Sequence, residues 1–286
     1  MQRLSSFIKS VETGKAALFI GAGFSAIAGC SNLKTICDKI KELNIVKAKI
    51  ENQGAGTVTP RELIAFCKKK LTSEDDIHEF DGIMRNGLAP EPIKYAHKYM
   101  PFIEKLKYLH PLPPVLTTNV DNCLTNSRVF NMSKIYRKVS DMKINYFMEG
   151  SVFHLHGNIE DVNDQVWDLY EYSRRYGEQK FQEFIIKVFQ EYSVLFMGYS
   201  FGDTELLQQV AKAASEISTR EFTHFALLPQ DDFPNHVNAA VYKELYNIEV
   251  IKYGPKEDFA DIIGRWIETS FNISQVGQIN QERFIQ

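Results

Sequence analysis

AALFIGAGFSAIAG, residues 16–29, decides how the rest of the chain is read. AALFI (16–20) is a short, continuously apolar run, the pattern of a strand covered on both faces within a parallel sheet. GAGFSA (21–26) follows and opens a helix. Gly21 and Gly23 lack Cβ atoms, so the backbone there can approach a diphosphate, and a helix N-terminus offers unpaired N–H groups to that anion. The spacing matches G-x-G-x-x-A, a dinucleotide fingerprint, although other tight strand-to-helix turns also use glycines. An acidic ribose ligand about 20 residues further on completes the usual dehydrogenase version. Glu42 has that offset but falls within a helical pattern, so the dehydrogenase version is unsupported.

Around this stretch, strands and helices alternate. Leu4, Phe7, Ile8 and Val11 stand at helical spacing before Gly14, and Leu33, Ile36, Cys37, Ile40 and Leu43 mark another helix. Residues 44–58 are polar and read as a boundary. Thr59-Pro60-Arg61-Glu62 carries a capping-box pattern with proline at the first helical position, and helical spacing continues to about residue 109. Strands are expected at PVLTT (114–118), KIYRKV (134–139), SVFHLH (151–156), SVLFMG (193–198), HFALL (224–228) and IEVIKY (248–253). Helices are expected at 178–191, 204–217 and 256–268. The fold class is therefore α/β, a Rossmann-like parallel sheet flanked by helices and carrying a small helical insertion. The expected organisation is one domain over 1–286, with an insertion module at 45–112 and a tail at 271–286.

Composition limits the functions available. A length of 286 residues suits one large α/β domain or one domain with an inserted module. With 33 basic and 36 acidic side chains, the chain lacks the basic excess of a phosphate-neutralising protein, so no direct nucleic-acid binding is expected. Cys30, Cys37, Cys67 and Cys123 form no CxxC pair, which argues against a zinc knuckle and a disulfide scaffold and for a reducing cytoplasm. No apolar run approaches the ~20 residues that span a bilayer, and the amphipathic N-terminus lacks the apolar centre of a signal peptide.

Three further strand ends carry chemistry-bearing residues. TTNVDN (117–122) puts Asn119 and Asp121 outside the carboxyl end of a strand, where open α/β sheets bind ligands; Asp121 or Asn122 taken alone reads rather as a cap of the next helix. In HLHG (154–157), His154 reads as a packed histidine and His156, beside Gly157, as the proton-handling group. The pair lacks further cysteine or histidine partners, so no metal is expected. MGYSFGD (197–203) repeats the design: Ser200 can bond a phosphate, and Asp203 reads equally as the N-cap of TELLQQV.

Taken in order, GAG-F-S, T-N-V-D, L-HG and G-Y-S resemble the sirtuin NAD-binding core over residues 15–252. The resemblance implies that Gly21, Ala22, Gly23 and Ser25 line the NAD diphosphate. It implies that Asn119 contacts the nicotinamide ribose and the attacking water, and Asp121 the carboxamide. His156 would act at the ribose hydroxyls, with Gly198 and Ser200 on the adenosine side. The sequence departs from deacylating sirtuins in having no CxxC zinc module, in Gly29-Cys30-Ser31-Asn32-Leu33-Lys34 where they carry Gly-Ile-Pro-Asp-Phe-Arg, and in Thr118 in place of Gln. The pattern is closer to bacterial sirtuin-like NAD hydrolases of antiviral defence, many of them oligomers, some acting beside a hexameric DNA-translocating ATPase. The expected activity is cleavage of NAD to nicotinamide and ADP-ribose, with NAD as substrate. The alternatives are a non-catalytic NAD or ADP-ribose sensor and an NAD-dependent deacylase.

Overall fold

Seven short strands pair into one wholly parallel sheet: β1 (Ala16–Ile20), β2 (Val115–Thr117), β3 (Ile135–Tyr136), β4 (Val152–His154), β5 (Ser193–Met197), β6 (His224–Pro229) and β7 (Ile248–Tyr253). The computed structural model describes residues 4–51, 58–130, 134–161, 164–216, 222–231 and 233–282. The strand order is β3-β4-β2-β1-β5-β6-β7. From β1 the chain passes to β2, then to the edge strand β3, and comes back as β4 between those two; it then crosses to the other side of β1 as β5 and builds outward through β6 and β7. The reversal lies between β1 and β5, and in open α/β sheets ligands bind outside the carboxyl ends of the strands at such a point.

The helices of the first half are α1 (Ser5–Glu12), α2 (Ala22–Ile27), α3 (Leu33–Lys41), α4 (Asn44–Glu51), α5 (Pro60–Lys70), α6 (Glu74–Leu88), α7 (Pro92–Lys94), α8 (Met100–Ile103) and α9 (Cys123–Asn126). Those of the second half are α10 (Leu169–Gly177), α11 (Gln179–Glu191), α12 (Thr204–Glu216), α13 (Ala239–Tyr246) and α14 (Phe259–Glu282). Strand alternation sends Ala16, Leu18 and Ile20 into one core with Phe7, Phe102 and Trp266, and Ala17 and Phe19 into a second with Phe153 and Phe184. Both faces of the sheet are thereby covered. A third core joins α3 to α6 through Ile36, Ile40, Val46, Leu63, Cys67, Phe80 and Met84. Thr59 and Glu62 form the expected capping box at the start of α5.

The parallel sheet with flanking helices follows the sequence reading, and several boundaries differ. KIYRKV contributes only Ile135–Tyr136 as an edge strand, and SVFHLH leaves the sheet after His154. Residues 44–51 form α4 where a polar boundary is expected, because Val46 packs into the third core. Helix α10 goes unpredicted because LYEYSRRYG has no aliphatic periodicity; it buries Arg175 and Tyr176. Helix α13 goes unpredicted because its aliphatic Val241 and Leu245 stay exposed while Tyr242 packs inward. The last helix starts at Phe259 and runs to Glu282, through much of the expected tail; residues 283–286 lie outside the described residues.

Candidate active site

At the switch point the loops after β1 and β5 press directly on one another. The Gly21 N–H donates to the Met197 carbonyl at 3.0 Å and the Gly23 N–H to the Gly198 carbonyl at 2.8 Å. A Cβ on Gly21 would lie 2.5 Å from the Gly198 carbonyl oxygen. Gly198 has φ +64, and a Cβ there would meet the Phe24 nitrogen at 2.8 Å. Loop-to-loop contact is thus an immediate reason for these glycines. Ala22 is exposed and Ser25 is buried. Ser200 is exposed, and its carbonyl accepts from His236 Nε2 at 2.8 Å.

The loop after β2 is fixed by a chain of hydrogen bonds. Thr117 Oγ1 donates to the Ile20 carbonyl at 2.7 Å and accepts from the Asn119 N–H at 3.0 Å. Asn119 Nδ2 donates to the Gly21 carbonyl at 3.0 Å and to Ser25 Oγ at 2.9 Å. The Ser25 hydroxyl in turn bonds the Asp121 carboxylate, whose Oδ1 accepts from the Cys123 N–H at 2.9 Å. Burial raises the Asp121 pKa against these hydrogen bonds. Asp121 therefore caps the start of α9 and belongs to the Asn119 network as well. His154 is fully buried, and its Nδ1 meets the Asn119 carbonyl at 3.0 Å, so it packs and holds the loop as expected. Burial lowers its pKa to about 4.

His156 and Asn119 leave neighbouring strands at matched positions. Thr117 and His154 are paired across β2 and β4, and each candidate stands two residues further on. The two side chains thus reach the same edge of the sheet. Among the described residues no hydrogen bond joins them directly. His156 Nε2 instead bonds the Tyr176 hydroxyl at 2.9 Å, and that hydroxyl donates to Asp203 Oδ2 at 2.8 Å. Tyr172 Oη lies 3.4 Å from Nδ1. Burial, with Arg175 and Arg61 nearby, lowers the His156 pKa to about 3, so the imidazole is neutral at physiological pH.

Asp203 has two tasks. Its Oδ1 accepts from the Leu206 N–H at 3.1 Å as the cap of α12, while Oδ2 serves Tyr176 and lies 3.5 Å from His156 Nε2. Burial raises its pKa to about 6 despite those bonds and the Arg61 charge. Arg61 reaches in from α5: its guanidinium lies 3.5 Å from the Tyr172 ring centroid, bonds both Glu205 carboxylate oxygens at 2.8 Å, and stands 3.7 Å from Asp203. The sequence reading misses Tyr172, Tyr176 and Arg61. Tyrosines four apart around Arg175 were the available signal for one polar face on α10.

Residues 113–251 match the family model described as a SIR2-like domain. No curated protein matches the chain. Among solved structures, the chain is similar to one titled as the crystal structure of a Sir2 homolog–NAD complex, at 13% identity and a TM-score of 0.50, over 93% of this chain and 94% of that one. The fold is accordingly Sir2-like and Rossmann-type. None of the described helices is long and apolar enough to cross a membrane.

Proposed function

We propose that this chain is an NAD glycohydrolase that cleaves the nicotinamide–ribose bond to give nicotinamide and ADP-ribose. The supporting observation is the meeting of four strand-end loops at one edge of the sheet, with Asn119 and His156 two residues beyond the paired positions Thr117 and His154. In NAD the pyridinium leaves as neutral nicotinamide, so the bond breaks without a strong acid, through an oxocarbenium-like centre related to that of glycoside hydrolysis. Asn119 orients the attacking water, and the neutral His156 takes a proton from a ribose hydroxyl, which regains one from the water as that water bonds to the anomeric carbon, so one proton is released per turnover. Tyr176 and Asp203 hold the His156 ring in place. Gly21, Ala22, Gly23 and Ser25 border the diphosphate, Asp121 the carboxamide, and Gly198 and Ser200 the adenosine side. The reaction routes no step through a metal ion.

Residues 1–286 act as one NAD-binding domain with the helical insertion at 45–112, working in the cytoplasm as a homo-oligomer. NAD depletion in antiphage defence, beside a hexameric DNA-translocating ATPase, is the setting this reading favours. A second reading, a sensor that binds NAD or ADP-ribose without turnover, is favoured by the enclosure of His156, whose two ring nitrogens both face tyrosines. Incubation of the purified protein with NAD, followed by chromatography of nicotinamide and ADP-ribose, separates the two. Equal release of both products supports the hydrolase. Saturable NAD binding with no release supports the sensor.

A further inference from the structure

A pair of buried thiols lies beside the Asn119 network. Cys30 follows α2 and Cys123 opens α9, and their sulfur atoms stand 3.4 Å apart. With a carboxylate oxygen of Asp121 they form a cluster whose donor atoms all lie within 4.8 Å of one another, and all three residues are buried. A tetrahedral zinc ion, ~2.3 Å from sulfur and ~2.1 Å from oxygen, spaces its ligands by roughly 3.5–3.8 Å, so small shifts bring these donors into its shell. A second observation concerns charge. Asp121 forms no ion pair among the described residues; its bonds come from Ser25 and from Cys123. A buried carboxylate without a counter-charge is costly, and a cation at the cluster supplies one.

A third observation is access. A cavity of about 370 Å³ is lined by Cys123, Asn122, Tyr95 and the Leu88–Pro90 segment, so it reaches one of the donors from outside. The Leu88 carbonyl lies 3.3 Å from the Cys30 sulfur, and it or a water from the cavity can complete four ligands. From these observations we infer that Cys30, Cys123 and Asp121 form a binding site for a zinc-class divalent ion. Both thiols release their protons on binding, and the ion clips the loop after α2 to the loop after β2. The site owes nothing to CxxC spacing, since its cysteines lie 93 positions apart and the fold alone unites them.

The test is metal uptake by the full chain in the absence of NAD, with the metal content of Zn²⁺-reconstituted, gel-filtered protein read by mass spectrometry. Co²⁺ serves as a second probe through its thiolate charge-transfer band. The expected result is one ion per chain, the charge-transfer band, and a thermal midpoint raised by Zn²⁺. Cys30→Ser and Cys123→Ser lose all three, and Cys67→Ser, in the separate core of the helical module, keeps them. Asp121→Asn, which preserves side-chain shape, weakens uptake at least tenfold and provides a readout if a cysteine variant fails to fold. Absence of uptake by the parent protein, or undiminished uptake and band in the Cys30, Cys123 and Asp121 variants, overturns the proposal.

Discussion

The Asn119 side-chain amide donates to the Ser25 hydroxyl at 2.9 Å, joining the loop after β2 to the helix after β1. The serine passes the connection on to Asp121, so one hydroxyl positions two of the candidate site's polar groups. Ser25→Ala removes the acceptor of one and the donor of the other among buried side chains. A lost buried hydrogen bond costs about 1–3 kcal/mol. Nicotinamide release by Ser25→Ala is expected to fall at least tenfold, with the far-ultraviolet circular dichroism unchanged.

The contact between Gly21 and Gly198 gives a second prediction. Gly198→Ala places a Cβ against the Phe24 nitrogen at a residue with φ +64. Strain of this kind costs about 1–3 kcal/mol. The variant is expected to have a lower thermal midpoint and weaker NAD binding by calorimetry, because the two loops must separate. Gly82→Ala, where a Cβ meets nothing within 4 Å, is the control and should not destabilise the chain.

The chain from His156 through Tyr176 to Asp203 predicts a loss in turnover. Tyr176→Phe keeps the ring and its packing on Phe181 but removes the hydroxyl that bridges imidazole and carboxylate. Positioned proton transfer contributes about 10²–10⁴-fold, and misplacing its base forfeits part of that. The expected result is a kcat lowered about 10–100-fold with KM within about twofold, measured by steady-state nicotinamide release.

Buried histidines set the direction of acid sensitivity. Burial lowers His154 to about 4 and His156 and His224 to about 3, below the ordinary value of 6.5. As the pH drops below 6.5 the unfolded chain takes up these protons and the folded one does not, so stability falls by about 1.4 kcal/mol per pH unit for each histidine. Asp203 acts in the opposite sense: its folded pKa is raised to about 6, so its contribution is present below the ordinary carboxylate value of 3.8 and is lost as the pH rises through about 6. Three histidines outweigh one carboxylate. Urea midpoints are expected to fall from pH 6.5 to 4.5, and His224→Gln, remote from the candidate site, should flatten that fall by about half, since Asp203 offsets most of one histidine's share.

How much of this was legible in the sequence depends on the kind of residue. AALFI and SVLFM read as buried strands because continuous apolar runs bounded by glycine have few other uses. Asn119 and His156 could be placed because each stands two residues beyond the last residue of a strand, and His154 because it closes β4. The Tyr172, Tyr176 and Arg61 contacts could not. They depend on how α10 and α5 approach the sheet, and tertiary packing of polar aromatic faces leaves no periodic trace. Asp203 reads from the sequence equally as a helix cap and as a site residue, and one oxygen does cap α12 while the other serves Tyr176. Cys30 and Cys123 looked unrelated for the same reason: only the sheet order brings them together.

The central claim is that Asn119 and His156 act together on the ribose of NAD. Single-turnover nicotinamide release by the parent protein, Asn119→Ala and His156→Ala, each shown by calorimetry to bind NAD, tests it most directly. Release by the parent chain and a loss of at least about 100-fold in each variant are expected, in line with the usual contribution of a positioned acid–base group. Release at the parent rate in both variants would contradict it.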